Sequence, residues 1–308
     1  MVPWSIERAG PADLASSWIR QGRSYWQLTK PRVVAVIVFT AVVGMFLAIR
    51  DRPRLDLVLF ATAGIWLAAA AAAVLNQLLD RGLDAAMTRT RNRPLPSGQL
   101  TAHAALAFAA ILSIGSMMIL GLLVNWLTAM LTLASLVGYS VIYTRWLKHA
   151  TPQNIVIGGA AGAAPPVLGW AAMTGSVDAN ALLLSLIIFT WTPPHFWALA
   201  IARRAEYSKA GVPMLPVTHG VDFTCTFIVL YTILLVWVTM LPCLTGMCGP
   251  LYAAGATALN AVFARRVLKL NAHPTLEAAM RAFRYSINYL LLLFTILLVD
   301  HYWRPLQF

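Results

Sequence analysis

Residues 55–84 read LDLVLFATAGIWLAAAAAAVLNQLLDRGLD, and this stretch decides the fold class. From Leu55 to Asn76 only Asp56 carries charge, and the apolar run is long enough to cross a bilayer, for which a helix needs roughly 17–25 residues. Leu67 to Val74 is almost all Ala, a smooth surface that lets helices or a ligand approach closely. The run then passes without a turn signal into Asn76, Asp80 and Asp84. At i, i+4 and i+8, these three share one helix face within an arc of roughly 80° over about 12 Å. Two carboxylates and an amide oxygen in a row suit hard cations such as Mg²⁺, which take oxygen ligands and keep water or phosphate besides. A solvated helix end would also carry such a row. Here, however, the row continues an apolar span, where polar groups are costly and each is a functional hypothesis.

Working outward, similar apolar segments lie at about 33–49, 102–123, 125–143, 155–173, 180–201, 223–246, 249–264 and 285–300, giving nine spans with 55–76. The 308 residues are 59% hydrophobic and 11% charged, with mean hydropathy +0.71, whereas a soluble domain carries about 25% charged residues. The expected class is therefore all-α: a polytopic membrane protein of about nine transmembrane helices in a bundle around a central cavity. Residues 1–32 form a polar N-terminal segment, and 33–308 form one transmembrane domain. The net charge of +12 does not mark nucleic acid. Of 23 Lys and Arg, 19 fall on the N-terminus and the connections after spans 2, 4, 6 and 8. The positive-inside rule then sets the N-terminus in the cytoplasm and the C-terminus in the periplasm, with Arg50, Arg52 and Arg54 against the trend. Residues 1–32 include Glu7 and Asp13 and carry neither a secretory signal nor a good mitochondrial presequence, so a bacterial inner membrane is expected.

Three arginines, Arg89, Arg91 and Arg93, follow the Asp row. Their fork geometry suits phosphate oxygens left free by metal, although arginines also anchor cytoplasmic loops. Span 6 ends in a second acid–base cluster, Arg203 to Lys209 with Glu206, which hints at a weak internal duplication. Pro165–Pro166 and Pro193–Pro194 should each break a span, which is tolerated at membrane depth only against protein or a wet cavity. His195, among Trp191, Phe196 and Trp197, is either a structural residue or a ligand or catalytic group. Gly158, Gly159 and Gly162 offer close packing or room for a flat ligand. Cys243 and Cys248 are expected as buried apolar cysteines, with pairing on an oxidising outer face as the alternative.

Asn76-x-x-x-Asp80-x-x-x-Asp84 with its Arg-rich loop resembles the first motif of the UbiA superfamily of intramembrane prenyltransferases. Residues 154–166 (NIVIGGAAGAAPP), 191–197 (WTPPHFW) and 210–216 (AGVPMLP) resemble its haem-farnesylating branch. The resemblance implies Mg²⁺-dependent ionisation of farnesyl diphosphate, attack by a vinyl group of haem b, and capture of water to complete a hydroxyethylfarnesyl chain. It implies that Asn76, Asp80 and Asp84 hold metal, and that Lys30, Arg89, Arg93 and Lys148 hold diphosphate. Where many members carry a second DxxxD row, this chain offers Glu206 and then Ala210. Glu206 is accordingly expected at a second metal, with Tyr207 and Lys209 on phosphate. Asp80, Asp84 and His195 are the expected catalytic residues, and His195 the expected haem contact. Expected partners are haem b and farnesyl diphosphate, the bilayer, and a downstream haem-modifying enzyme or oxidase assembly factors; nucleic acid is not among them. The rival readings are prenylation of an aromatic acid on the quinone pathway, which residues 190–216 disfavour, and a transporter, whose polar residues would lie at mid-depth rather than at helix ends.

Overall fold

A computed structural model describes residues 11–303, all of whose regular elements are helices. Residues 1–10, with Glu7, and the C-terminal Phe308 lie outside the described residues. Helix α1 (Pro11–Leu28) meets α2 (Pro31–Leu47) at an elbow bent by 49°. Pro31 disfavours helical backbone at the residue before it, and Lys30 adopts the left-handed region at φ 48°. α3 (Leu55–Leu79) is joined through Asp80 to the short α4 (Arg81–Ala86).

α5 (Ala102–Leu123) and α6 (Trp126–Val137) start at Thr101 and Asn125, whose side chains accept from Ala104 N and Thr128 N. Such caps satisfy donors that a helix start leaves unpaired. α6 continues as a π-helix over Gly138–Leu147 and ends in the single turn α7 (Lys148–Ala150). Next come α8 (Asn154–Gly162), α9 (Pro165–Thr174), α10 (Ala179–Ala202), α11 (Arg204–Lys209) and α12 (Leu215–Thr218). Three long helices close the chain: α13 (Val221–Leu244), α14 (Pro250–Ala272) and α15 (Leu276–Trp303).

By length and apolar content seven helices are able to cross a membrane, or eight with the α1–α2 bent pair as one span. The protein is thus multi-pass, though nine spans are not reached on these criteria. The shortfall is α14, which has 23 residues but places Arg265, Arg266 and Lys269 in its second half. The basic run 265–284 holds no separate short helix; it is divided between the end of α14 and the start of α15.

Neighbours in sequence pack together, and α15 returns against α2 to close the ring. Where α2 crosses α9 the backbones touch: a Cβ on Gly169 would collide with the Ala41 carbonyl, and one on Gly44 with Pro166. Glycine is needed at both positions for this approach. The main apolar core lies among α10, α13, α14 and α15, with Trp197, Tyr252, Phe263 and Phe294 fully buried. Outward-facing Ile111, Leu122, Trp237 and Leu244 are exposed, as lipid-facing residues should be.

One expectation is corrected. Pro193 and Pro194 do not break span 6, because α10 runs through them without interruption. In the turn before them, the Thr190 hydroxyl donates to Leu186 O and Ile187 O and the Thr192 hydroxyl donates to Ile188 O, so side chains tie that turn. Span 5 does break, after Gly162, and Pro165 and Pro166 open α9, where a missing N–H is harmless.

Candidate active site

The last turn of α3 carries Asn76, Asp80 follows as the joint, and Asp84 sits on α4; all three are buried. The helical ladder persists through the joint, with Asp80 N on Asn76 O at 2.9 Å and Asp84 N on Asp80 O at 2.8 Å. The row therefore keeps one face despite the change of helix. Gln77 anchors it by donating to Leu28 O at 2.7 Å, tying α3 to the end of α1.

Three separate elements deliver a cation to this row. Lys30, from the elbow, donates to Asn76 Oδ1 at 2.6 Å. Lys148, opening α7, donates to Asp80 Oδ2 at 2.6 Å. Arg93, from the loop after α4, donates to Asp84 Oδ2 at 2.7 Å. Thr90 fixes that loop by donating to Asp84 O at 2.9 Å. Asn76 completes the chain: its Nδ2 donates to Asp80 Oδ2 at 2.9 Å and to Thr144 Oγ1 at 3.3 Å. Thr144 in turn gives its own hydrogen to Tyr139 O at 2.9 Å, which orients the amide.

The cradle thus sets two carboxylates against three cations. Such a site has room for further negative charge, and its donor set of carboxylate and amide oxygens fits Mg²⁺. Beside Lys30 a cavity of about 510 Å³ opens between Arg23, Trp26, Gln27, Pro31, Arg32 and Val33.

The second side is looser. Tyr207 on α11 is half-buried, within electrostatic reach of Arg89 and Asp80; burial raises its phenol pKa while Arg89 opposes the rise. Glu206 instead pairs with Arg203 at 2.9 Å on its own stretch of chain. Among the described residues no three His, Cys, Asp or Glu gather as a metal cluster, so Glu206 is not brought into the Asp row. Arg89 and Lys209 are exposed. As after α3, α10 is followed across one residue by a six-residue helix, which repeats the element that presents the row.

His195 is buried and stacked between Trp191 (centroids 4.2 Å) and Phe283 (4.7 Å), with Phe196 at its edge. Ser286 Oγ donates to Phe283 O, so its contact with His195 Nδ1 at 2.7 Å is an acceptance from an N–H. This assignment leaves Nε2 with a lone pair, the form in which imidazole ligates iron or takes a proton.

Gly158 does not form a flat bed for a ligand: a Cβ there would strike the Tyr143 ring, and one on Gly159 would press on Thr192. Only Gly162 is open. The residues missed from sequence are Tyr139 and Tyr143, stacked at 5.5 Å within electrostatic reach of Asp80, with Thr144 and Ser286. The first three stand on the π-helical segment, a form that recurs at functional sites. Their one signal in the sequence is an aromatic pair, spaced by four, just before Lys148.

Comparison with known proteins agrees with this geometry. Residues 37–294 match the UbiA prenyltransferase family. The chain is 58% identical over 280 residues to protoheme IX farnesyltransferase of Nitrosococcus oceani, covering 91% of this chain and 94% of that protein. Among solved structures, a digeranylgeranylglyceryl phosphate synthase superposes with TM-score 0.76 at 18% identity, over 92% of this chain and 99% of that one. A UbiA homologue from Archaeoglobus fulgidus bound to GPP and Mg²⁺ superposes with TM-score 0.63 at 15% identity, over 89% and 99%.

Proposed function

The chain belongs to the UbiA prenyltransferase family, and on that premise we propose that it transfers the farnesyl group of farnesyl diphosphate to a vinyl group of haem b, giving haem O for haem–copper oxidase assembly. The single observation that carries the substrate pair is the 58% identity, across nine-tenths of the chain, to a protoheme IX farnesyltransferase. The site supplies the rest. Lys30, Lys148 and Arg93 bind the diphosphate, with Arg89, Tyr207 and Lys209 along its outer side. Asn76, Asp80 and Asp84 would hold Mg²⁺, with Glu206 as the acid on the second side. When bound, the ion neutralises charge developing on the departing diphosphate.

Substrate and carboxylates compete for the same cations. In this structure Lys148 and Arg93 sit on Asp80 and Asp84 respectively; with those carboxylates holding Mg²⁺, the two basic groups would be free to bind phosphate oxygens. The Tyr139 and Tyr143 rings, within electrostatic reach of Asp80, supply the faces for the allylic cation, since aromatic faces stabilise cations. The vinyl β-carbon of haem attacks that cation as diphosphate leaves. The resulting haem-side cation takes up water and loses a proton, giving the hydroxyethyl carbon. Packed apolar helices keep water away until the carbon–carbon bond has formed. His195 Nε2 is assigned to the haem iron, holding the macrocycle so that one vinyl edge faces the cation. We further place the protein in a bacterial inner membrane, with its basic face in the cytoplasm.

The test is incubation of the purified full chain with haem b, farnesyl diphosphate and Mg²⁺, followed by mass spectrometry of the pigment. A haem heavier by one farnesyl group and one hydroxyl is expected, and it should disappear with Asp80→Asn. Unmodified haem in that incubation, with a prenylated product formed when an aromatic acid is supplied in its place, would overturn the reading in favour of the quinone pathway.

A further inference from the structure

The turn between α13 and α14 lies at the far ends of its helices, on the face opposite the Asp row. It brings Cys243 Sγ and Cys248 Sγ to 3.0 Å. Neither thiol takes part in the site described above. Their approach is built by the backbone. Met247 N and Cys248 N both bind Pro242 O, at 2.9 and 3.1 Å, and Gly246 turns the chain at φ 74°. Beyond Cys248, Asp300 of α15 accepts from Gly249 N and Tyr252 N, fixing the start of α14. The two sulfurs are therefore held within about 1 Å of a bonded separation by a turn pinned on both sides.

We propose that Cys243 and Cys248 form a disulfide that staples α13 to α14 on the periplasmic face. The proposal rests on the orientation given under the proposed function, because disulfides persist in an oxidising compartment and are rare in the cytosol. Cys243 is the more accessible thiol and Cys248 is buried, which sets the order of events. The Cys243 thiolate attacks a disulfide of a thiol-oxidising exchange protein, forming a mixed disulfide and expelling one partner thiolate. The Cys248 thiolate then attacks the Cys243 sulfur, closing the ring and releasing the partner as a dithiol. Two electrons pass to the partner, and the two thiol protons, relayed by water, end on its two sulfurs. Closure fixes a hairpin whose α13 packs on α10, the helix of His195, and whose α14 packs on α15, the helix of Ser286. This modification reverses the sequence-based expectation of two inert apolar thiols.

The experiment uses the full chain expressed in cells with an oxidising periplasm, denatured directly into N-ethylmaleimide and digested. Cys225, the third cysteine of the chain, should alone take the label. The peptide holding Cys243 and Cys248 should be unlabelled and 2 Da lighter than its dithiol form (the mass of the two hydrogens lost), gaining two labels only after reduction. In parallel, a Thr245→Cys probe in a Cys243→Ser/Cys248→Ser background reports orientation, since Thr245 is exposed on the same turn. A membrane-impermeant maleimide should label it in intact cells. If the probe is labelled from outside while native Cys243 and Cys248 take maleimide before reduction, the disulfide is overturned and the orientation stands. If the probe is labelled only after lysis, the orientation fails, and the proposal with it.

Discussion

Lys30 concentrates the site in one residue. It is the one non-glycine residue with positive φ among those described, and left-handed backbone costs an ordinary residue roughly 1–2 kcal/mol. What the chain gains is an ammonium on Asn76 Oδ1, reached from an elbow rather than from a helix. Lys30→Gly relieves the backbone and removes the cation, whereas Lys30→Ala keeps the strain. Both variants should lose turnover at least about 100-fold, the scale for one preorganised electrostatic partner. The glycine variant should melt about 2 °C above the alanine variant, the lower end for a chain this long. Kinetics beside thermal melts check this, and a fully active Lys30→Gly would reduce Lys30 to a turn residue. His195 is held differently, by two aromatic faces and Ser286. His195→Ala should lower haem occupancy, read from the Soret band, while leaving binding of a non-hydrolysable farnesyl diphosphate analogue within about twofold, because the cradle proposed for diphosphate is separate from it. Unchanged haem occupancy with lost turnover would assign the ring to proton transfer instead.

At the scale of elements, helices do in this molecule what glycine and proline permit. Gly169 lets α9 lie directly on the α2 backbone at Ala41, and a larger residue must push the two apart. Gly169→Leu is expected to destabilise by more than about 3 kcal/mol, the upper range for overpacking where side chains alone yield, because here the obstacle is backbone. Loss of the folded peak in detergent size-exclusion chromatography is the outcome, and a native elution volume with native melting would refute it. The i, i+4, i+8 row was legible because the ladder survives the Asp80 joint. The pairing of Lys30, Arg93 and Lys148 with that row was legible in outline only through the family resemblance, since the three arrive from segments up to 118 residues apart in the chain. Tyr139, Tyr143 and Thr144 stayed hidden because a helical period does not announce a π-segment, which rotates side chains away from their expected face. The Pro193–Pro194 break was misread for a related reason: proline removes hydrogen bonds at known positions, but whether a helix parts there depends on packing, and α10 is buried along much of its length.

Over the whole molecule, charge and chemistry lie at one end. The Asp row, the three cations on it, Tyr207 and the basic ends of α14 and α15 share the face to which 19 of the 23 Lys and Arg were assigned from sequence. Asp300 and the Cys243–Cys248 turn lie at the other. An amphiphilic diphosphate requires this division, since its head must stay hydrated or paired with cations while its tail lies among apolar helices. The same distribution bears on orientation: short basic loops resist translocation, so the face proposed to bind diphosphate is expected to be the cytoplasmic one. A reporter fused after Ser97, in the loop that carries Arg93, should therefore signal cytoplasm, and one fused after Phe308 should signal periplasm. Helix parity makes the second fusion the stricter test. If α14 crosses the membrane despite Arg265, Arg266 and Lys269, the chain end emerges opposite Ser97. If α14 stays at the surface, with the seven apolar helices and the bent pair as the only crossings, both reporters signal cytoplasm. The contents of α14 favour crossing. Its three basic residues are confined to its last eight positions, Arg265 to Ala272, and the fifteen before them, Pro250 to Ala264, carry no charge. Long basic side chains near a helix end reach back to the interface, so opposite signals from Ser97 and Phe308 are expected.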